Sequence, residues 1–523
     1  MQTQAHTITT PRGAGFAGFG RLLTVLTLLT AGAAQANNIA VTNVAWKTTG
    51  STVESSVQFD LAWDNSWRAA WTEAAATNVT DAELPVENWD AAWVFVKFRK
   101  AGTTSNGYTH ATLSTNAADH AMPTGATNIV GLTDDGQKGV GVFIYRNAVG
   151  HGANAFKQVK LRWLHASNEV VKTDTVNLQV HAIEMVYVGN GAFNVGGGGG
   201  AEAFTSTVIT NSNPTQTGGY PTGQIPPDNA TWPNGYNVFY CMKYEITQNQ
   251  YVRFLNTLTY TQQFVRTAIS PASDVGTYAE NASRHVIKIN TSGIDPGTPA
   301  VYETAAPYVA CNFLSWADGC AYAAWAGLRP MTELEYEKAC RGPLNPVSGE
   351  FAWGSASIAS VAYTLNNSNA ADETIATGYS LAAGNAMYTI TKGTIGGPVR
   401  AGIFATVTST GTIGRVVSGA SYWGIMELSG NLWERPVTIG TTTTAPTDKG
   451  RQFQGTHGAG TVTLPANWPQ NDANGAGCRG GYWENVSDYA RTSDRNIAAD
   501  VYATRTSHLG WRACRSAASG VGP

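Results

Sequence analysis

The sequence predicts an all-β sandwich domain followed by an α+β domain with little regular structure. Three observations carry that expectation. Between residues 38 and 181, short runs alternate apolar and polar at period two, separated by clusters of Gly, Asn, Asp and Thr. Beyond residue 182, capped helical segments stand in a chain otherwise rich in Gly, Thr, Ala and Ser. At 523 residues the chain is also too long for a single core.

Composition narrows the function classes. The 33 basic and 36 acidic residues leave a net charge of −3, which offers no electrostatic case for nucleic acid or for an acidic membrane. Charged residues are only 13% of the chain, below the usual quarter, which suits an extracellular, loop-rich protein. Arg12 and Arg21 precede the apolar run Leu22–Ala34, and Ala34-Gln35-Ala36 has the small-x-small form of a signal-peptidase site. Residues 1–36 are therefore expected to be a signal peptide, because the run is shorter than the ~20 residues that span a bilayer. The mature chain is expected to be secreted or held at the cell surface, with no membrane span. Six cysteines, an even number, suggest disulfides in an exported protein and leave 15 pairings open.

In the first domain, residues 38–181, the clearest alternations are Val57–Trp63 and Trp93–Phe98. Val140–Tyr145, Val159–Leu164 and Thr175–His181 are further strand candidates. Tryptophans 46, 63, 67, 71, 89, 93 and 163 are a large aromatic supply, either for core and edge packing or for an aromatic platform. The second domain, residues 182–518, opens with a strand–turn–strand from Ile183 to Phe193 and the glycine run 196–200. No Gly-Lys-Ser/Thr follows that run, so it is a turn or linker rather than a phosphate loop. Thr247 caps a helix with Tyr251, Phe254 and Leu255 on one face. Ser315 caps Trp316–Trp325. Thr332 and Glu335 form a capping box for Glu333–Arg341, which ends at Gly342.

The segment Cys478–Ser516 has neither helical nor strand periodicity. It opens with Arg479-Gly480-Gly481, carries Arg491, Arg495, Arg505 and Arg512, and closes on Leu509-Gly510-Trp511-Arg512. Small polar residues alternate irregularly with aromatics between those ends. Long irregular loops inside compact domains are usually functional.

The pieces IEMVYVGNGAFNVG, YEITQNQYVRFLN, WADGCAYAAWAGLRPMTELEYEKACRG, FAWG, WGIMELSGNLWER, RGGYW and LGWRACR follow one another in order. Together they resemble the formylglycine-generating enzymes, the sulfatase-modifying-factor family. The resemblance implies a C-type-lectin-like fold for the second domain. It also implies a pair of copper-binding cysteines after the Gly-Gly-aromatic motif, five positions apart. Here those positions hold Asn485 and Ala490. Neither side chain can be a thiolate, so no copper and no formylglycine generation are expected. A related group of iron enzymes takes its histidines from a helical domain, and the nine histidines here are scattered. By the same resemblance, Gly430-Asn431-Leu432-Trp433-Glu434 would bind calcium through Asn431, Glu434 and the Leu432 carbonyl. A turn in which Glu434 pairs with an arginine is the alternative. The family often joins the helix and final strand on which Cys320 and Cys514 lie, with Cys514 displaced by one residue here.

The leading functional expectation is a secreted, non-catalytic binding module that displays residues 482–508 on a lectin-like scaffold. Tyr482, Trp483, Tyr489 and Tyr502 would supply rigid contact area for a protein or glycan at the cell surface. Asn485, Asp488, Asp500 and His508 would supply hydrogen bonds. Some proteins of this fold are variable receptors of diversity-generating retroelements, and the residue mixture here matches theirs. A structural surface or assembly protein that self-associates is the alternative from another class, and an oxidoreductase of the family's type is the third.

Overall fold

The computed structural model describes residues 38–517 apart from 49, 75–82, 103–106, 296, 407–412 and 441–447. The expected signal peptide lies outside the described residues. Eight strands come first: β1 Ala40–Thr48, β2 Ser55–Ala74, β3 Glu83–Lys100, β4 Thr109–His110, β5 Ala126–Leu132, β6 Gly139–Arg146, β7 Gly150–Trp163 and β8 Val176–Val188. A ribbon of β9 Phe193–Val195 with β10 Thr207–Ile209 follows, then β11 Phe239–Met242, α1 Gln248–Leu255 and α2 Tyr260–Phe264. Next come the ribbon β12 Ile287–Thr291 with β13 Val301–Thr304, α3 Trp316–Trp325, β14 Arg329–Pro330 and α4 Glu333–Arg341. The ribbon β15 Thr364–Asn366 with β16 Thr374–Thr377 and the closing strand β17 Ala513–Ser516 complete the list of labelled elements.

β2 pairs with β1 and β7, while β3 pairs with β6 and β8. Side chains alternate across each strand, so the two groups meet through one face of each. Val57, Phe59, Leu61 and Trp63 of β2 share a core with Ala92, Val94, Val96 and Phe98 of β3. The opposite face of β3 carries Trp89, Ala91, Trp93 and Phe95, which join a second core with α1 and α3. The β3–β8 pairing runs unbroken from Asp90↔Val186 to Lys100↔Val176. The expected boundary at 181/182 therefore falls inside β8. The far end of β8 pairs with β11, β11 with β17, and β17 with β14, so one 11-stranded sheet runs through both parts.

Buried polar bonds lock this seam. Trp93 Nε1 donates to Ala326 O at 2.8 Å, and Lys97 Nζ donates to Trp325 O and Gly460 O, each at 2.7 Å. Arg515 lies over the Trp93 ring and donates to Gly327 O and Leu132 O. The seven N-terminal tryptophans all serve packing. Trp63 and Trp163 fill the first core, and Trp89 and Trp93 the second. Trp67 and Trp71 lie half-buried against Tyr422 and Trp423, and Trp46 sits 5.5 Å from Trp163.

Local sequence explains the helices. Thr247, Ser315 and Thr332 each cap the amide three residues on, and Gln250, Asp318 and Glu335 each return a side-chain acceptor to the cap amide. Such a cap stabilises a helix by about 1 kcal/mol. The Cys320–Cys514 pairing implied by the family is not formed, and no cysteine is paired in this structure. The reason is register. In β17, Ala513 faces the core that holds Cys320, whereas Cys514 faces the opposite cluster around α4. A shift of one residue moves a strand side chain to the other face.

Candidate functional site

The closing segment divides into two exposed lobes and a buried middle. Gly480 and Gly481 start it with φ of 85° and 73°, a backbone region that L-residues with side chains rarely occupy. A Cβ on Gly480 would also lie 2.7 Å from Leu428 O. The first lobe spans 484–488 and the second 500–504. Thr492 to Arg495 and Ala498, between them, are buried.

The buried middle is fastened by charge. Arg495 Nε and Nη2 donate to Glu333 of α4 at 2.8 and 3.1 Å. Arg479 donates to Glu333 at 3.3 Å, to Glu337 at 2.9 Å and to Thr492 O at 2.5 Å. Arg341 reaches Glu350 at 2.5 Å, Glu337 at 3.2 Å and Ser493 Oγ at 2.9 Å. Burial opposes ionisation of Glu333, but Arg495 and then Arg479 overcome it and hold its carboxyl below the usual range. Backbone bonds add to the anchor: Thr492 N donates to Glu350 O at 3.0 Å, and Arg495 N to Ala201 O at 2.9 Å. At the exit, Arg505 grips Asp318 of α3 with two bonds of 2.8 Å.

The first lobe is tied to a distant stretch. Thr389 N donates to Asn485 O at 2.9 Å, and Lys392 pairs with Glu484 while lying 5.0 Å over the Trp483 ring. Trp483 was expected at the ligand surface, but it is only 5% exposed and packs with Leu432, Met387 and Val399. Its indole N–H is taken by Ser507 O at 3.3 Å, which is why the ring turns inward. Asn485 is half-buried, and its Oδ1 accepts from Tyr482 N at 3.1 Å. Asp488 is exposed and pairs with Arg491 at 2.8 Å. Asp500 and Tyr502 are exposed on the second lobe.

The remaining expected residues meet around Trp433. Its ring lies 6.0 Å from Tyr482 and 5.9 Å from Tyr489. Tyr482 contacts His508 at 4.9 Å, and His508 contacts Tyr502 at 5.7 Å. Burial, then Arg435, holds His508 below its ordinary range, so the imidazole is neutral at pH 7. The structure thus joins Tyr482, Tyr489, His508 and Tyr502 in one chain of ring contacts around Trp433, leaves Asp488 and Asp500 exposed and Asn485 half-buried, and buries Trp483. A cleft of about 580 Å³ borders the second lobe, lined by Val265, Arg266, Glu280, Asn471, Thr504 and Arg505.

Trp433, the buried ring (3% exposed) on which Tyr482 and Tyr489 rest, and Lys392 and the half-exposed Ile390 were not singled out for this site. Trp433 sat inside a motif read for calcium, and the other two lie about ninety residues upstream, where no sequence signal links them to the loop. The residues named for calcium are committed elsewhere. Asn431 Nδ2 donates to Glu245, its Oδ1 accepts from Val399 N at 2.9 Å, and Leu432 N donates to Glu245 at 2.9 Å. Glu434 accepts from Arg512 at 2.7 Å. Arg512 thus supplies a positive charge beside the turn, while Glu434 Oε2 has no hydrogen-bond partner among the described residues. Among the described residues, no group of three or more His, Cys, Asp or Glu is arranged to hold a metal.

Residues 168–517, about two thirds of the chain, match the family described as the sulfatase-modifying factor enzyme 1-like domain, and the chain belongs to that family. No curated protein matches the chain.

Proposed function

We propose that the chain is an exported, non-catalytic binding module of a lectin-like frame, with lobes 484–488 and 500–504 and the rings around Trp433 as its ligand surface. The division of the closing segment is the observation that supports this most. Side chains that fix the backbone are buried in charge pairs, and chemically varied side chains stand out from that base. Tyr482, Tyr489 and Tyr502 offer area at low entropy cost, while Asn485, Asp488, Asp500 and His508 offer adaptable hydrogen bonds. The ligand is a protein or glycan met at the cell surface. Where relatives keep their paired thiolates, Asn485 and Ala490 stand, and Ala490 is 1% exposed. Thiolate chemistry has no nucleophile at those positions.

A binding screen against glycan and protein arrays tests the proposal, with wild type beside Tyr489→Ala/Tyr502→Ala. The double variant should bind at least tenfold more weakly with an unchanged thermal midpoint. Equal binding by both would overturn the assignment. Variable display by a diversity-generating retroelement is a narrower version. It requires a near-copy of the DNA for this segment beside a reverse-transcriptase gene, and a genome without one removes it.

A further inference from the structure

β11 and β17 run antiparallel with Cys241 directly opposite Cys514. Directly opposed residues share a face, with Cα atoms about 4.5–5.5 Å apart, inside the roughly 4.4–6.8 Å that a disulfide spans. Both side chains are fully buried in one apolar cluster with Val186, Val188 and Met331. Both strands are interior to the sheet. β11 is flanked by β8 and β17, and β17 by β11 and β14, so hydrogen bonds on two sides hold the register. Cys311 and Cys320 lie in the other core, Cys478 packs with Trp433 and Leu509, and Cys340, although in the same cluster, stands on α4 and not on either paired strand. Burial and then the neighbouring Cys241 thiol push the Cys514 thiol well above its usual range.

We propose that Cys241 and Cys514 become a disulfide in the exported protein, a covalent clasp between the strand leaving the ligand surface and its partner in the shared sheet. The clasp rests on the export proposed above only for its oxidant, not for its geometry. The bond forms during folding, while the thiols are still accessible. One cysteine thiolate attacks a small-molecule or protein disulfide R–S–S–R and releases one R–S⁻. The second cysteine thiolate then displaces the other R–S⁻ from the mixed disulfide. The two cysteine sulfurs lose two electrons in all, R–S–S–R gains them, and the two thiol protons end on two R–SH.

Wild-type chain is refolded with reduced and oxidised glutathione, and separately isolated from an oxidising compartment. Each sample is alkylated in denaturant without reduction and peptide-mapped. Four of the six cysteines should be alkylated, with a loss of about 2 Da and a cross-link between the peptides holding Cys241 and Cys514. Reductant should lower the thermal midpoint by several degrees, and Cys241→Ser should lose that response while Cys320→Ser keeps it. Six alkylated cysteines after oxidative refolding, or a cross-link between any other pair, overturn the clasp. The bond in refolded chain but six thiols in the isolated protein overturns it for the exported form and faults the export reading rather than the geometry.

Discussion

Residues 492–495 and the lobes on either side of them have similar compositions and opposite fates. Thr492, Ser493, Asp494 and Arg495 are as polar as Glu484, Asp488, Asp500 and Thr504, yet the first four are buried and the others exposed. Polarity within the segment does not decide the difference. Opposing groups do: Glu333 for Arg495, Arg341 for Ser493, and the Ala201 amide, which donates to Asp494 at 3.0 Å. A polar residue enters a core when the core already holds its partner. The frame and the display surface are therefore one continuous segment, sorted by what lies opposite.

That contrast breaks most visibly at Arg495. Arg495→Ala leaves the Glu333 carboxylate buried with a single cation, and loss of one partner from such a pair costs about 3–5 kcal/mol. Chemical denaturation should show a loss of that size or an unfolded chain. Tyr502→Ala on the second lobe should cost within about 1 kcal/mol, as exposed substitutions do. Equal losses at the two positions would mean that the lobes belong to the frame.

A second buried charge set, at the seam, sharpens the comparison because its balance is opposite. Lys243 Nζ sits 3.0 Å from Asp90 and 3.1 Å from Glu184, and Glu184 Oε1 has no hydrogen-bond partner among the described residues. Burial, reinforced by Asp90 and only partly offset by Lys243, raises Glu184 to about 7. A folded-state value above the unfolded one means that its stabilising contribution is complete below about pH 4.5 and is lost as pH rises through about 7. Glu184→Gln removes that loss, so the variant should gain on wild type by up to about 3 kcal/mol between pH 5 and pH 8. Buried histidines such as His285, lowered to about 4, give the opposite slope, with stability lost as pH falls. They cancel in the difference between the two proteins. A difference flat with pH would show that Glu184 stays ionised throughout.

Local signals were legible and distant ones were not. The caps at Thr247, Ser315 and Thr332 lie within one turn of the helices they start, and those helices fall where the sequence places them. The family, too, follows from motifs in order. Trp483 shows the limit. Nothing near it in sequence says that Ser507 O and the Leu432 cluster will take its ring. The buried middle was hidden for the same reason, since Glu333 lies 162 residues from Arg495. For Cys514 the displacement of one residue was legible, but the face it selects follows only from the register of the strand.

The smallest expected effect concerns the turn under the first lobe. Asn431, Leu432 and Glu434 engage Glu245, Val399 and Arg512. Arg512 spends its other donors on Met242 O, Lys243 O and Met426 O at 2.7–3.0 Å, so it cannot swing away without stranding three buried carbonyls. A calcium ion at this turn would share the Glu434 carboxylate with a guanidinium that is held in place by those carbonyls. Chelator or millimolar calcium should therefore move the thermal midpoint by less than about 1 °C, because a ligand stabilises only through binding to the folded state. A calcium-dependent rise of several degrees would place a cation beside the lobe. The first lobe would then rest on a metal rather than on arginine, as the buried middle does.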